Sequence, residues 1–318
     1  MMRNPDKRFA LLVWFQLLCL LLLLSGCDRT DSTAPLPSVT EKKTVNPPEK
    51  TFGIIYPMAY PTYESITTEA VRFAGEHGVR LIVKAPDEAN TEQQIRILES
   101  MIEDKVDGIA ISPLDSAAVV PVIDRAAKAG IPVICFESDS PGSSRLAYIG
   151  ADNEQTGIQI AKTVSKLLGG KGMIIVENGM AGMLSLKQKQ SGLLDYLREE
   201  TAIDVLDVRY HEGSEDKAMS DIEEMISAHP HFDAIIALDY ISGSAATLVW
   251  KAKGLRRYAV FAGLAPEHQE ALDNGQATSA ISQNETRWGQ EIVNALLRAS
   301  SGLALDPFID TGISEVSQ

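Results

Sequence analysis

The residues best placed to do chemistry stand where apolar runs end. Gly108-Ile109-Ala110-Ile111 is followed by Ser112 and then Asp115. Pro132-Val133-Ile134-Cys135-Phe136 is followed by Glu137, Ser138 and Asp139, and Ala234-Ile235-Ile236-Ala237-Leu238 by Asp239. Hydroxyls and carboxylates in that pattern supply acceptors and donors to a bound solute. They do not make a catalytic set. The chain has no Gly-x-Ser-x-Gly elbow, phosphate loop, dinucleotide fingerprint or zinc helix, so no enzyme activity, cofactor or metal is expected. His229-Pro230-His231 falls in a helix-to-strand turn with no further ligands at hand, and reads as a solvent-facing loop. Cys135 lies inside an apolar run without a flanking His or Asn pattern, and reads as a small core residue rather than a nucleophile.

The elements that must position these groups alternate. From Asp107 to Asp139 the chain reads strand, helix, strand: Pro113 stops the first strand, Ser116 is the expected N-cap, and Ala117, Val120, Ile123, Ala126 and Ala127 make one apolar helical face. Gly130 closes that helix. Two buried strands joined by a helix form a right-handed parallel unit, and ligands of open α/β sheets bind beyond the carboxyl ends of the strands. The same reading predicts strands near Phe52–Tyr56, Arg80–Ala85, Met173–Val176, Val205–Tyr210, Tyr258–Gly263 and Thr278–Ser282. It predicts helices near Tyr63–His77, Thr91–Glu103, Asn153–Leu168 behind Asp152, Met183–Glu200, Glu215–Ser227, Gly243–Lys253, Pro266–Asn274 and Glu285–Ser300, with extended pieces at Ala147–Gly150 and Phe308–Ile313. The fold class is therefore α/β, with two doubly wound parallel sheets.

A length of 318 residues suits two domains, and 45% hydrophobic with 23% charged residues is globular composition. The formal charge of −14 argues against a nucleic-acid partner. The amino-terminal segment is set apart: Arg3, Lys7 and Arg8 precede the apolar stretch Leu11–Leu24, which is short for a membrane span. Leu24-Ser25-Gly26-Cys27 then matches a bacterial lipobox, so residues 1–26 are expected to be a lipoprotein signal and Cys27 the lipid-bearing residue. Residues 27–50, rich in Pro, Ser, Thr, Lys and Glu, read as a flexible tether. Of the three cysteines, only Cys135 would then remain in the folded part, which leaves no intrachain disulfide.

Five runs in order, Gly53-Ile54-Ile55-Tyr56, Asp107-Gly108-Ile109, Ala129 to Ile134, Tyr148 to Asn153 and Asp233 to Ala237, resemble the type I periplasmic binding proteins, nearest the ribose-binding group. The resemblance covers residues 51–313. It implies two lobes joined by three hinge strands, closing on a small polar ligand and passing it to an ABC permease or to a membrane sensor. The implied crossings lie near Ala151-Asp152, Gln283 and Gly312. The lobes would be 51–151 with 284–312, and 152–283 with 313–318. A monomer tied to the membrane through Cys27, on the extracytoplasmic side, is the expected state. A sensory accessory protein for a receptor kinase or an autoinducer-type signal shares the same cleft.

Carried over position by position, the resemblance assigns ligand contact to Tyr56, Tyr60 and Tyr63 in the first loop, to Glu137 and Ser138 after the fourth strand, and to Lys189 where the family places an arginine. It adds Asp239, Tyr240 and the hinge glutamine Gln283. Two departures stand out. Ser138 replaces the arginine that sugar binders carry beside the carboxylate, and Gly263 replaces an aspartate. An ordinary aldose fits this set less well than a polyol, a modified sugar, a furanosyl signal or a ligand with a cationic group.

Overall fold

The computed structural model describes residues 50–317. The expected signal segment, Cys27 and the tether short of Lys50 lie outside the described residues. The chain begins with β1 (Lys50–Ile55), α1 (Tyr63–Glu76), β2 (Val79–Lys84), α2 (Thr91–Glu103), β3 (Gly108–Ile111), α3 (Val120–Lys128), β4 (Val133–Phe136) and β5 (Ala147–Gly150). It continues through α4 (Asn153–Leu168), β6 (Lys171–Asn178), α5 (Leu184–Glu200), β7 (Ala202–Tyr210), α6 (Glu215–Ala228), β8 (Ala234–Ala237), α7 (Tyr240–Lys253), β9 (Tyr258–Ala262), α8 (Pro266–Asp273) and β10 (Ser279–Ser282). A 3-10 turn, Glu285–Arg287, then leads into α9 (Trp288–Ala299), β11 (Phe308–Asp310) and β12 (Ser314–Ser317).

The strands form two six-stranded sheets, ordered β11-β5-β4-β3-β1-β2 and β12-β10-β9-β8-β6-β7. Every pairing in the first is parallel. The second is parallel except for β12, which runs antiparallel to β10. Helices on both faces explain why the central strands are apolar throughout rather than alternating. Ile54 packs toward α1 and α9 and Ile55 toward α2 and α3, each fully buried. Each such side chain contributes about 1.5–3 kcal/mol. In the second sheet Ile174 and Val176 face α4 and α5, and Ile175 faces α6 and α7.

Side-chain caps set the helix starts. Asn90, Asp152, Ser214 and Asp239 accept from the backbone N–H three residues on, at 2.8–3.2 Å. Two expectations need correction. Ser116 does not cap a helix: Asp115 Oδ1 takes the Ala117 and Ala118 N–H groups, Ser116 Oγ donates to the Asp139 carbonyl, and α3 starts at Val120. The helix expected from Gly243 starts instead at Tyr240, because Asp239 caps it. The end of the chain was read as one extended piece; Gly312 at φ +77° breaks it into β11 on one sheet and β12 on the other.

The chain passes between the sheets three times, after β5, after β10 and after β11. The three passages are bonded to one another. Gln283 Nε2 donates to Asn153 Oδ1 (2.9 Å) and Thr156 Oγ1 (3.0 Å), Asn284 Nδ2 to the Thr311 carbonyl (2.8 Å), and Thr311 Oγ1 to the Gln283 carbonyl (2.7 Å).

Candidate ligand site

The carboxyl ends of both sheets converge on a cavity of about 40 Å³. On the first lobe, β4 is followed by Glu137, whose backbone turns left-handed at φ +59°. That turn brings its carboxylate under two donors: Tyr63 Oη donates to Oε1 and Oε2 at 3.1 and 3.0 Å, and Ser112 Oγ donates to Oε2 at 2.9 Å. Burial pushes the Glu137 carboxyl up, while Lys189, Ser112 and Tyr63 pull it back. Tyr60 reaches across to the second lobe and donates to Ser244 Oγ at 3.3 Å.

On the second lobe, Asp239 accepts from the Ser242 N–H at 2.8 Å and from His211 Nε2 at 3.0 Å. His211 Nδ1 accepts the Gly213 N–H at 3.0 Å, so it is the Nε2–H that donates to Asp239. Burial works to raise the Asp239 pKa, but His211 and Ser242 outweigh it and hold the carboxyl below the usual range. Lys189 lies on α5, which approaches α4 closely enough that a Cβ on Gly157 would sit 1.9 Å from the Lys189 carbonyl oxygen. Burial lowers the Lys189 ammonium pKa, and Glu137, Asp239 and Glu285 oppose the shift.

Seven of the nine assigned residues line the cavity together: Tyr60, Tyr63, Glu137, Lys189, Asp239, Tyr240 and Gln283. Two stand behind it. Tyr56 stacks on Tyr63 with ring centres 4.5 Å apart and bonds Thr67 Oγ1 at 2.9 Å, so it buttresses the ring that faces the cavity. Ser138 Oγ accepts the Ser185 N–H at 3.4 Å, at the start of α5, and so bridges the lobes. Gln283 spends its amide N–H groups on Asn153 and Thr156, which leaves Oε1 as its acceptor for a solute.

Sequence reasoning missed a wall of the cavity. Met58, Met180, Met183 and Leu186 line it, together with Trp288 and Glu285. The Met180-Ala181-Gly182-Met183 run between β6 and α5 was the available signal. The departure at Gly263 has a steric reason: at φ +86°, a Cβ there would lie 2.5 Å from the Tyr240 ring, which fills the space of a larger residue. The remaining polar groups have other work. Asp139 pairs with Arg145 at 2.6 Å, Lys187 is exposed, and Cys135 is a buried free thiol pushed up by burial. Among the described residues no group of His, Cys, Asp and Glu is arranged to hold a metal.

Residues 52–304 match the family model described as periplasmic binding protein domain. The chain belongs to this family. Among relatives of this periplasmic binding protein is a D-ribose/D-allose-binding protein of Pseudomonas aeruginosa, 26% identical over 48% of this chain and 49% of that protein, so the chain spans about half its length. The ribose import binding protein of Bacillus subtilis is 22% identical over 68% of this chain and 69% of its own. The solved structure of an ABC transporter solute binding protein from Burkholderia graminis, in complex with D-arabinose, superimposes with a TM-score of 0.82 at 27% identity, covering 86% of this chain and 96% of that one. These are binding proteins rather than enzymes.

Proposed function

We propose that this is an extracytoplasmic solute-binding protein, held to the membrane by lipid on Cys27, that captures a small sugar, polyol or related solute and hands it to an ABC permease. The observation that carries the reading is the convergence of Tyr60, Tyr63 and Glu137 from one lobe with Lys189, Asp239 and Tyr240 from the other on one cavity at the strand ends. Hydroxyls of a desolvated solute need that mixture of donors and acceptors, and its C–H faces need the aromatic walls. The ribose import and ABC transporter proteins among its relatives favour import over sensing.

A cavity of about 40 Å³ holds only a few water molecules, so entry requires the lobes to part about the three crossings. We take the lobes as 51–151 with 284–312, and 152–283 with 313–318, each lobe moving as a body. Residues 1–26 act as the signal and 27–50 as the tether. Thermal unfolding of the purified protein against a panel of pentoses, hexoses and polyols tests this: one chemical class should raise the midpoint, as linkage requires, and a panel without any shift contradicts it. Cys27→Ser should release the protein from membranes.

A further inference from the structure

The charges around the cavity do not balance. Glu137, Asp239 and Glu285 line it against one cation, Lys189. Glu285 is buried at 6% exposure and accepts from Ser282 Oγ at 2.5 Å and from the Gln283 N–H at 3.0 Å. The protein groups bonded to Glu137 and Glu285 are hydroxyls and a backbone N–H, which do not offset their charge; only Asp239 has a ring partner, His211. Lys189, 7% exposed, has no hydrogen bond or ion pair among the described residues. A further acid, Glu267, accepts from Thr62 Oγ1 of the other lobe at 3.3 Å and from Ser244 Oγ of its own at 3.4 Å.

Four aromatic rings, Tyr60, Tyr63, Tyr240 and Trp288, also face the cavity. Ring faces attract cations, and carboxylates kept from water do so more strongly. Resting on the solute-capture reading above, we propose that the solute carries a cationic nitrogen: it is an amine-substituted sugar or polyol. The ammonium takes the surplus carboxylate charge, and Lys189 donates to a hydroxyl or ring oxygen. An acidic solute could pair with Lys189, but it would set a fourth negative group among three that already act on that lysine.

The test compares matched solutes on the purified protein at pH 7 and low salt, by calorimetry and thermal shift. The sets are glucose, glucosamine and glucuronate; galactose, galactosamine and galacturonate; and ribitol with its 1-amino counterpart. The amine of at least one set should bind about tenfold or more tighter than its neutral partner, the acid should bind weakest, and Glu285→Gln should erase most of the amine preference by weakening the amine far more than its neutral partner. Neutral or acidic members binding as tightly as the amine, or an unchanged preference in Glu285→Gln, overturns the inference and leaves solute capture standing. No binding in any set overturns both.

Discussion

At the scale of single residues, the cavity is built from groups already half-satisfied by the protein. Glu137 is held by Tyr63 and Ser112, and Gln283 by Asn153 and Thr156. On the proposed reading a solute completes their bonding, so Glu137→Ala or Gln283→Ala should weaken binding by about 1–3 kcal/mol, read by calorimetry. Unchanged affinity in both variants would remove them from the site. Glu177 poses a different problem. It is fully buried in β6, and neither carboxyl oxygen has a partner among the described residues. Burial first, then the Asp221 and Asp239 charges, push it up to about 9 against the pull of Lys217 and Arg209. The folded state therefore holds a proton that the unfolded chain releases near about pH 4.3. Its contribution to stability is present below that pH and lost as pH rises toward 9. Glu177→Gln should gain on the parent as pH climbs from about 5 to 9, by about 1–3 kcal/mol at the upper end, and parallel melting curves would contradict this.

Much of the site was legible because polar residues after an apolar run mark a strand's carboxyl end; Glu137 and Asp239 were visible that way. Glu285 and Trp288 were not. They follow Asn284 at φ +55° in a turn and look like the first residues of an ordinary helix, and only the second crossing turns them to the cavity. Tyr56 belongs to the same loop as Tyr60, but its ring packs behind Tyr63 rather than on the cavity.

At the scale of elements, the position of Lys189 depends on two glycines. A Cβ on Gly157 would meet the Lys189 carbonyl, and one on Gly192 would sit 2.1 Å from the Glu154 carbonyl oxygen. Both obstacles are backbone, so α4 and α5 would have to move apart. Gly192→Ala should cost about 1–3 kcal/mol of stability and weaken solute binding as Lys189 shifts. Full retention of both would mean the helices yield without consequence. The βα alternation and most helix starts were readable from caps such as Asp152; the early start of α7 was missed because Asp239 was read only as a ligand contact, while its carboxylate also caps the helix.

At the scale of the whole molecule, two sheets share three crossings whose side chains bond to each other, and the cavity lies at the strand ends beside them. The three passages between the sheets were legible in order along the chain, whereas contacts between lobes, such as Tyr60 with Ser244, have no local pattern to betray them. Trp288 at the cavity and Trp250, packed on Phe232 in the second lobe's core, give an internal comparison. The most direct measurement is a tryptophan-fluorescence titration with a solute from the screens above, on the protein from Thr51 onward, repeated in Trp288→Phe and Glu137→Ala. The account predicts a saturable single-site change that Trp288→Phe abolishes and Glu137→Ala shifts to higher concentration. A saturable signal that survives Trp288→Phe, with affinity indifferent to Glu137→Ala, would contradict it.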